Sequence, residues 1–317
     1  MDRIRNLLIL RGGALGDFIL TLPVVSALHR HLPAITIDLA SDPRFAELAI
    51  GSGWVRKVHS LDAALMAQMY VPDEARNPAL ADSWRGYDAA LCYLEDPDQT
   101  IAHTLDDAGI RRRVFVSPRK ICGHAIDHFM GGLCSLGLEM IADDSLVLNL
   151  QPKGTRSALT VRVSPQRPFF VIHPGSGSAR KNWPLDRFVR LAERIRNERA
   201  LLPVFLLGEA EAGFENILKK TLPSALCLTE LGLSDVAAVL KQAQFYVGND
   251  SGITHLSASL GVPTWALFGP TDPEQWAPRG RQVYVVRCSG NGLHSMEDMS
   301  DDAVWRALKI GDGCPRS

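Results

Sequence analysis

Phe245-Tyr246-Val247-Gly248-Asn249-Asp250-Ser251-Gly252-Ile253-Thr254-His255-Leu256 is a short apolar run that breaks into a polar turn and restarts with helical periodicity. Ile253, Leu256 and Leu260 stand at i, i+3 and i+7, and Gly261 follows where a glycine ends a helix. The stretch therefore reads as strand, turn, helix. Such a turn leaves amides around Ser251 and Gly252 without helical partners at the positive end of the helix dipole, and Gly252 lets a ligand approach the backbone closely. A phosphate or diphosphate suits that position. Asp250 and His255 add an acceptor and a switchable donor at its edge. The same residues also fit a plainer reading, in which Asp250 and Ser251 cap a helix and His255 is a satisfied surface histidine.

Outward from this stretch, strands and helices alternate. In the second half, residues 169–172, 204–207 and 264–268 read as strands, and 185–199 as a helix with Phe188, Leu191 and Ile195 at helical spacing. A further helix is expected from a Ser234 cap through Leu240. In the first half, 6–10 is a strand, 15–31 a helical run and 35–39 a strand, which makes a βαβ unit. Pro23 predicts that the regular helix starts close to it or that its first turn is distorted. Residues 86–94 and 113–116 read as strands, 120–136 as a helix ended by Gly137, and 62–82 as a helix and loop without an assigned role. The proline- and glycine-punctuated segment 151–168 reads as the connection between halves. The expectation is two domains, 1–160 and 161–317, each a doubly wound α/β parallel sheet with Rossmann-like character, and a ligand cleft at the strands' C-terminal ends. The last helix, from a cap near Ser300 through Leu308, is expected to pack back on the first domain.

A chain of 317 residues with 46% hydrophobic and 22% charged residues and a formal charge of −1 has the composition of an ordinary globular protein. No overall basicity favours nucleic acid. The first residues, interrupted by Arg11, read as a strand rather than a signal peptide, and no apolar run approaches a membrane span. The six cysteines show no metal-ligand spacing and are expected to be reduced thiols in the cytoplasm.

Four turns follow predicted strands. Arg11-Gly12-Gly13-Ala14-Leu15-Gly16-Asp17 sets one acid in a glycine-shaped turn, where Gly12, Gly13 and Gly16 allow tight or left-handed backbone and Asp17 serves as a cap or as a base for a hydroxyl. His173 to Trp183 offers Gly175, Ser176 and the charges of Arg180 and Lys181, a cradle for phosphate or merely a solvated loop. Glu209 and Glu211 follow Gly208, where a carboxylate accepts from ribose hydroxyls or caps a helix. The fourth turn is the one at Asp250, and Gly269-Pro270-Thr271-Asp272-Pro273 is either an ordinary turn or part of the lining.

Gly13-Ala14-Leu15-Gly16-Asp17 with Thr21-Leu22-Pro23, His173-Pro174-Gly175-Ser176 through Lys181-Asn182-Trp183-Pro184, Gly248 through Leu256, and Phe268-Gly269-Pro270-Thr271 together resemble the glycosyltransferase family 9 heptosyltransferases of lipopolysaccharide synthesis. The motifs run through most of the chain in the family's order; residues 40–165 carry little of them. The resemblance implies a GT-B fold, an acceptor on the first domain beside Gly13 and Gly16, and a nucleotide sugar, ADP-heptose, on the second. It implies inverting displacement without a bound metal or other cofactor. Asp17 becomes the candidate base. Lys181, Gly175, Ser176, Asp250, Ser251, Gly252 and His255 become donor ligands, with Lys181 and fixed amides stabilising the departing diphosphate. Glu211 is preferred over Glu209 for the ribose. Implied partners are the donor and a lipopolysaccharide core or other glycan acceptor, with peripheral contact at the cytoplasmic face of the inner membrane; Arg111-Arg112-Arg113 is one basic cluster available for it. Alternatives within the fold are another nucleotide sugar, a protein acceptor, or a nucleotide-binding protein without transfer. A dinucleotide oxidoreductase using Asp38, placed at the end of the second strand, is disfavoured because Gly12 to Gly16 is out of GxGxxG register.

Overall fold

The computed structural model describes residues 4–71, 78–119, 121, 123–138, 167–287 and 294–311. The chain divides into two compact units, Met1–Asp143 and Asp144–Ser317. The connection expected over 151–168, and with it the boundary at 160, falls almost wholly outside the described residues.

In the first unit, β1 (Asn6–Arg11), β2 (Thr36–Ser41), β3 (Lys57–Ser60), β4 (Ala89–Tyr93) and β5 (Arg112–Phe115) form one parallel sheet in the order β3-β2-β1-β4-β5. Helices α1 (Leu15–His31), α2 (Pro43–Gly51), α3 (Ala79–Ser83), α4 (Thr100–Asp107) and α5 (Ala125–Ser135) alternate with the strands. Cover on both faces explains why β1 and β4 are continuous apolar runs. On one face α1 lies along α5. On the other, Leu8, Leu10, Ala90 and Cys92 meet Met66, Met69, Leu80, Trp84 and Leu105, so the described parts of the stretch 62–82 cover the core. Helix α1 begins well ahead of Pro23 and runs through it. An interior proline costs a helix roughly 3 kcal/mol, but every residue from Phe18 to Leu28 is buried, and that packing outweighs the lost bond.

In the second unit, β6 (Phe169–His173), β7 (Leu202–Leu207), β8 (Leu226–Thr229), β9 (Tyr246–Asn249), β10 (Thr264–Phe268) and β11 (Val283–Arg287) form a parallel sheet in the order β11-β10-β9-β6-β7-β8. Its helices are α6 (Leu185–Arg199), α7 (Phe214–Thr221), α8 (Leu233–Gln242), α9 (Gly252–Ser259), α10 (Pro273–Trp276) and α11 (Asp301–Gly311). Helix α8 starts after Gly232, so Ser234 lies inside its first turn and is not the cap. Helix α11 buries Val304, Trp305 and Leu308 with Phe188, Ile195 and Trp265 of its own unit. The Trp265 indole donates to the Ala307 carbonyl (3.0 Å), and Arg194 lies over the Trp305 ring at 4.4 Å.

In each sheet the strand order reverses once, between β1 and β4 and between β6 and β9. At such a switch point the connections leave the strands' C-terminal ends in opposite directions, which opens a crevice for ligands.

Candidate functional site

The second unit gathers four loops around its switch point, those after β6, β7, β9 and β10. After β9, Ser251 caps α9 by accepting from the Thr254 amide (3.4 Å), and the helix start presents the Gly252 and Ile253 amides as its open turn. Beside it, one oxygen of Asp250 accepts from the Lys181 ammonium (2.9 Å) and from the Thr271 hydroxyl (2.8 Å). The His255 ring stands 3.9 Å from the other oxygen. Burial works against ionising Asp250, but His255 and Lys181 outweigh it and hold the carboxyl at about 2. Asn249, fully buried, donates to the Pro174 carbonyl (2.8 Å) and accepts from the Trp183 amide (3.0 Å), so it fastens both ends of the loop after β6 to β9. Neither Asn249 nor the bond from Thr271 was identified from sequence; the one available signal was an asparagine closing an apolar strand.

Within that loop, the single hydroxyl proton of Ser176 lies between the Asn182 side-chain oxygen (2.6 Å) and the Ser178 carbonyl (2.7 Å), and its oxygen accepts from the Ser178 amide (3.2 Å), so Ser176 shapes the loop. Trp183 is a core residue, with its indole bonded to the Met299 carbonyl (2.9 Å) and its ring edge-on to Phe188. Gly175 lies directly against Glu211: a Cβ there would come 2.0 Å from Oε1. The other Glu211 oxygen accepts from the Gly208 amide (2.9 Å). Glu209 is exposed whereas Glu211 is buried beside the loop. His173, at the end of β6, gives its Nδ1 proton to the Leu206 carbonyl (3.0 Å), and burial lowers its pKa against the opposing pull of that bond and of Glu211.

In the first unit, Gly13 takes a φ of +94° that lets β1 turn into α1, while Gly16 lies in the helical first turn without left-handed geometry. Asp17 accepts from the Ala14 amide (3.0 Å), so it does cap the helix. Its side chain remains 35% exposed, and its second oxygen is 3.5 Å from the guanidinium of Arg11. Arg11 is almost fully buried, donates to the Asp17 carbonyl (3.0 and 3.2 Å) and sits 4.7 Å over the Phe129 ring. Burial lowers the Arg11 pKa against the pull of Asp17. The cap and the open oxygen are compatible with a base that is held in place.

Asp38 is not at the end of β2 but third in it, and its carboxylate is occupied by Arg56 (2.6 and 3.1 Å) and Tyr87 (2.6 Å). It has no oxygen to offer a dinucleotide ribose. Two of the basic cluster's three arginines are spent internally: Arg112 donates to the Leu136 carbonyl and Arg113 makes a two-pronged bond to Asp106 (2.7 and 2.8 Å), while Arg111 stays 81% exposed and meets Asp106 at 3.4 Å. Among the described residues no three His, Cys, Asp or Glu side chains gather as a metal site, and no helix is long and apolar enough to cross a membrane.

Comparison with known proteins adds to this geometry. The family Glycosyltransferase family 9 (heptosyltransferase) matches residues 135–302, just over half the chain. Lipopolysaccharide heptosyltransferase 1 of Pseudomonas aeruginosa is 37% identical over 124 residues, 38% of this chain and 34% of that protein. The match thus spans about a third of that relative's length. A glycosyl transferase family 9 structure from Veillonella parvula superposes with a TM-score of 0.79 at 16% identity, covering 98% of both chains. An E. coli heptosyltransferase solved with ADP gives 0.73 at 20% identity, covering 96% of this chain and 99% of that one. These structural likenesses establish the fold, GT-B, with two Rossmann-like units.

Proposed function

The chain belongs to glycosyltransferase family 9, and on that basis we propose that it transfers heptose from ADP-heptose to a hydroxyl of a lipopolysaccharide core acceptor, with inversion and without a metal. The observation that carries the reading is the Lys181–Asp250–Thr271 cluster at the open start of α9, a cation and helix amides at one switch point. A diphosphate takes the Gly252 and Ile253 amides and Lys181. Glu211, fixed against Gly175 by its bond to the Gly208 amide, accepts from the ribose through its other oxygen. Asp17 receives the proton of the acceptor hydroxyl as that oxygen bonds to the anomeric carbon. The bond from this carbon to the diphosphate breaks, and ADP leaves with the electron pair. Lys181 and the amides take up the charge that develops on the leaving group. The acceptor's lipid anchor places the reaction at the cytoplasmic face of the inner membrane, with the protein in peripheral contact.

Calorimetric titration with ADP, UDP, GDP and NAD, with and without EDTA, tests the nucleotide. ADP is expected to bind tightest, with an affinity that chelation does not change. A preference for UDP or GDP would keep a transferase but discard heptose, and a preference for NAD would overturn the reading.

A further inference from the structure

The Asp17 turn leaves the first sheet at the C-terminal end of β1. At the other end, where β1 and β3 start, a cavity of about 360 Å3 opens, bordered by Asn6, Asp38, Arg56, Lys57, Arg85 and Tyr87. Strand β1 is six residues long, so ~16 Å of strand separate the cavity from that turn. Nothing small bound here reaches Asp17. The volume lies within the ~300–1,000 Å3 of small-ligand sites, near the lower end.

Two arginines are held here from one side only. Arg56 lays its Nε and one Nη on the buried Asp38 carboxylate (3.1 and 2.6 Å). Tyr87 donates to the same carboxylate (2.6 Å) and stands 3.0 Å from His59 Nε2. Burial works against ionising Asp38, but the bonds from Arg56 and Tyr87 outweigh it and hold the carboxyl below the usual carboxylate range. The Arg56 guanidinium is thereby fixed, with its second Nη group left over. Arg85 repeats the arrangement at the surface, with Nε on Asp82 (2.8 Å) and both Nη groups left over. Lys57 is exposed and has no carboxylate partner among the described residues. Burial and then the charge of Lys57 lower the His59 pKa, so that ring is neutral at neutral pH and adds no charge. Asp88 does not border the cavity and spends an oxygen on the Arg5 and Asn6 amides (2.8 Å each). Arg56 and Arg85 are each offset by an aspartate, and Lys57 leaves an uncompensated positive charge.

We propose that this cavity binds a small soluble phosphate monoester, a ligand that takes no part in the transfer reaction. A tetrahedral dianion accepts from the spare Nη groups of Arg56 and Arg85 and from the Lys57 ammonium, with the Asn6 side-chain amide for a further oxygen. The aspartates do not exclude it, because each is already neutralised by the arginine it orients. A carboxylate has one charge fewer and one oxygen fewer for the same donors. A phospholipid headgroup shares the chemistry of the ester, but among the described residues no exposed large apolar side chain borders the cavity to enter a membrane. The site does not depend on the transferase reading, since it uses neither the nucleotide loops nor the Asp17 turn.

The test is heteronuclear NMR titration of the full chain with methyl phosphate, inorganic phosphate, methanol and acetate, with and without saturating ADP. Vesicles containing phosphatidic acid form a separate arm. Methyl phosphate should shift the Lys57, Arg85 and Gly86 amides saturably whether or not ADP is bound, and bind about tenfold tighter than acetate. Inorganic phosphate should act in the same way and methanol should not. Lys57→Gln and Arg85→Gln should each weaken the ester about tenfold, as for loss of one charge-assisted bond, and Lys57→Arg should restore most of the affinity. Both side chains are exposed, so the fold and the ADP affinity should persist; Arg56 is kept, because its loss would leave Asp38 buried and unpaired. No saturable shift at these amides, shifts indifferent to both glutamine variants, acetate as tight as the ester, or binding of vesicles without the soluble ester would overturn the proposal.

Discussion

Asp250 makes the second unit sensitive to acid. Its carboxyl is held at about 2 in the folded chain, below the ~3.9 of an unperturbed aspartate. A depressed folded pKa contributes stability that is fully present above the unfolded value and is lost as pH falls through the folded one. The window is therefore from about pH 4 down to about pH 2, and the contribution is on the order of 2 kcal/mol. Denaturant titrations across that range should show the parent losing stability as pH falls, and Asp250→Asn, already weakened at neutral pH, losing distinctly less. An unchanged slope in the variant would mean that other carboxylates carry the acid transition. Asp17 offers a contrasting case at the same scale. Because one oxygen caps Ala14 and the side chain stays partly open, Asp17→Asn should keep the fold and the ADP affinity. Its kcat should fall by about 10²–10⁴, the usual contribution of a general base. Transfer at the parental rate would remove Asp17 from the reaction.

The loop after β6 works only if Gly175 has no side chain. Gly175→Ala would drive a methyl into Glu211, so the carboxylate must swing away and release the Gly208 amide. Weakening of ADP by about tenfold is expected, as for loss of one oriented polar contact, with the circular dichroism of the parent retained. An unaltered ADP affinity would show that Glu211 does not serve the nucleotide. This pairing also marks where sequence reading stops. The strand, turn and helix from Tyr246 to Ser259 were legible because polarity and period change together there and Gly261, with φ of +74°, ends the helix. The partners of Asn249 and Asp250 were not, because Trp183, Pro174 and Thr271 are remote in the chain and only the folded sheet brings them together. Strands β3, β8 and β11 escaped notice for another reason: as half-buried edge or near-edge strands of four or five residues, they show no clean alternation. Pro23 misled because a local breaker was weighed without the burial that overrides it.

At the scale of the whole chain, alternating strands and helices were enough to read two parallel α/β units, since parallel strands need a crossover and a crossover needs a helix. The sequence did not reveal that α11 belongs to the second core; an amphipathic helix shows that it has an apolar face, not which surface receives it. That assignment has a functional consequence. Every residue proposed to hold the nucleotide lies in the second unit, and that unit's core runs unbroken from Phe170 through Trp183 and Phe188 to Trp305. A ligand that binds only the folded form stabilises it by ~2.7 kcal/mol at a hundredfold excess over its Kd. Hydrogen exchange with ADP at that concentration should therefore slow most in β6, β9 and α9, and the slowing should reach α11, because the Trp183 indole bonds to the Met299 carbonyl just ahead of that helix. Equal slowing in β1 and β4 would place nucleotide contacts in the first unit as well. If β9 slows while α11 does not, the helix opens independently of the core it covers, and the second unit is not one cooperative body.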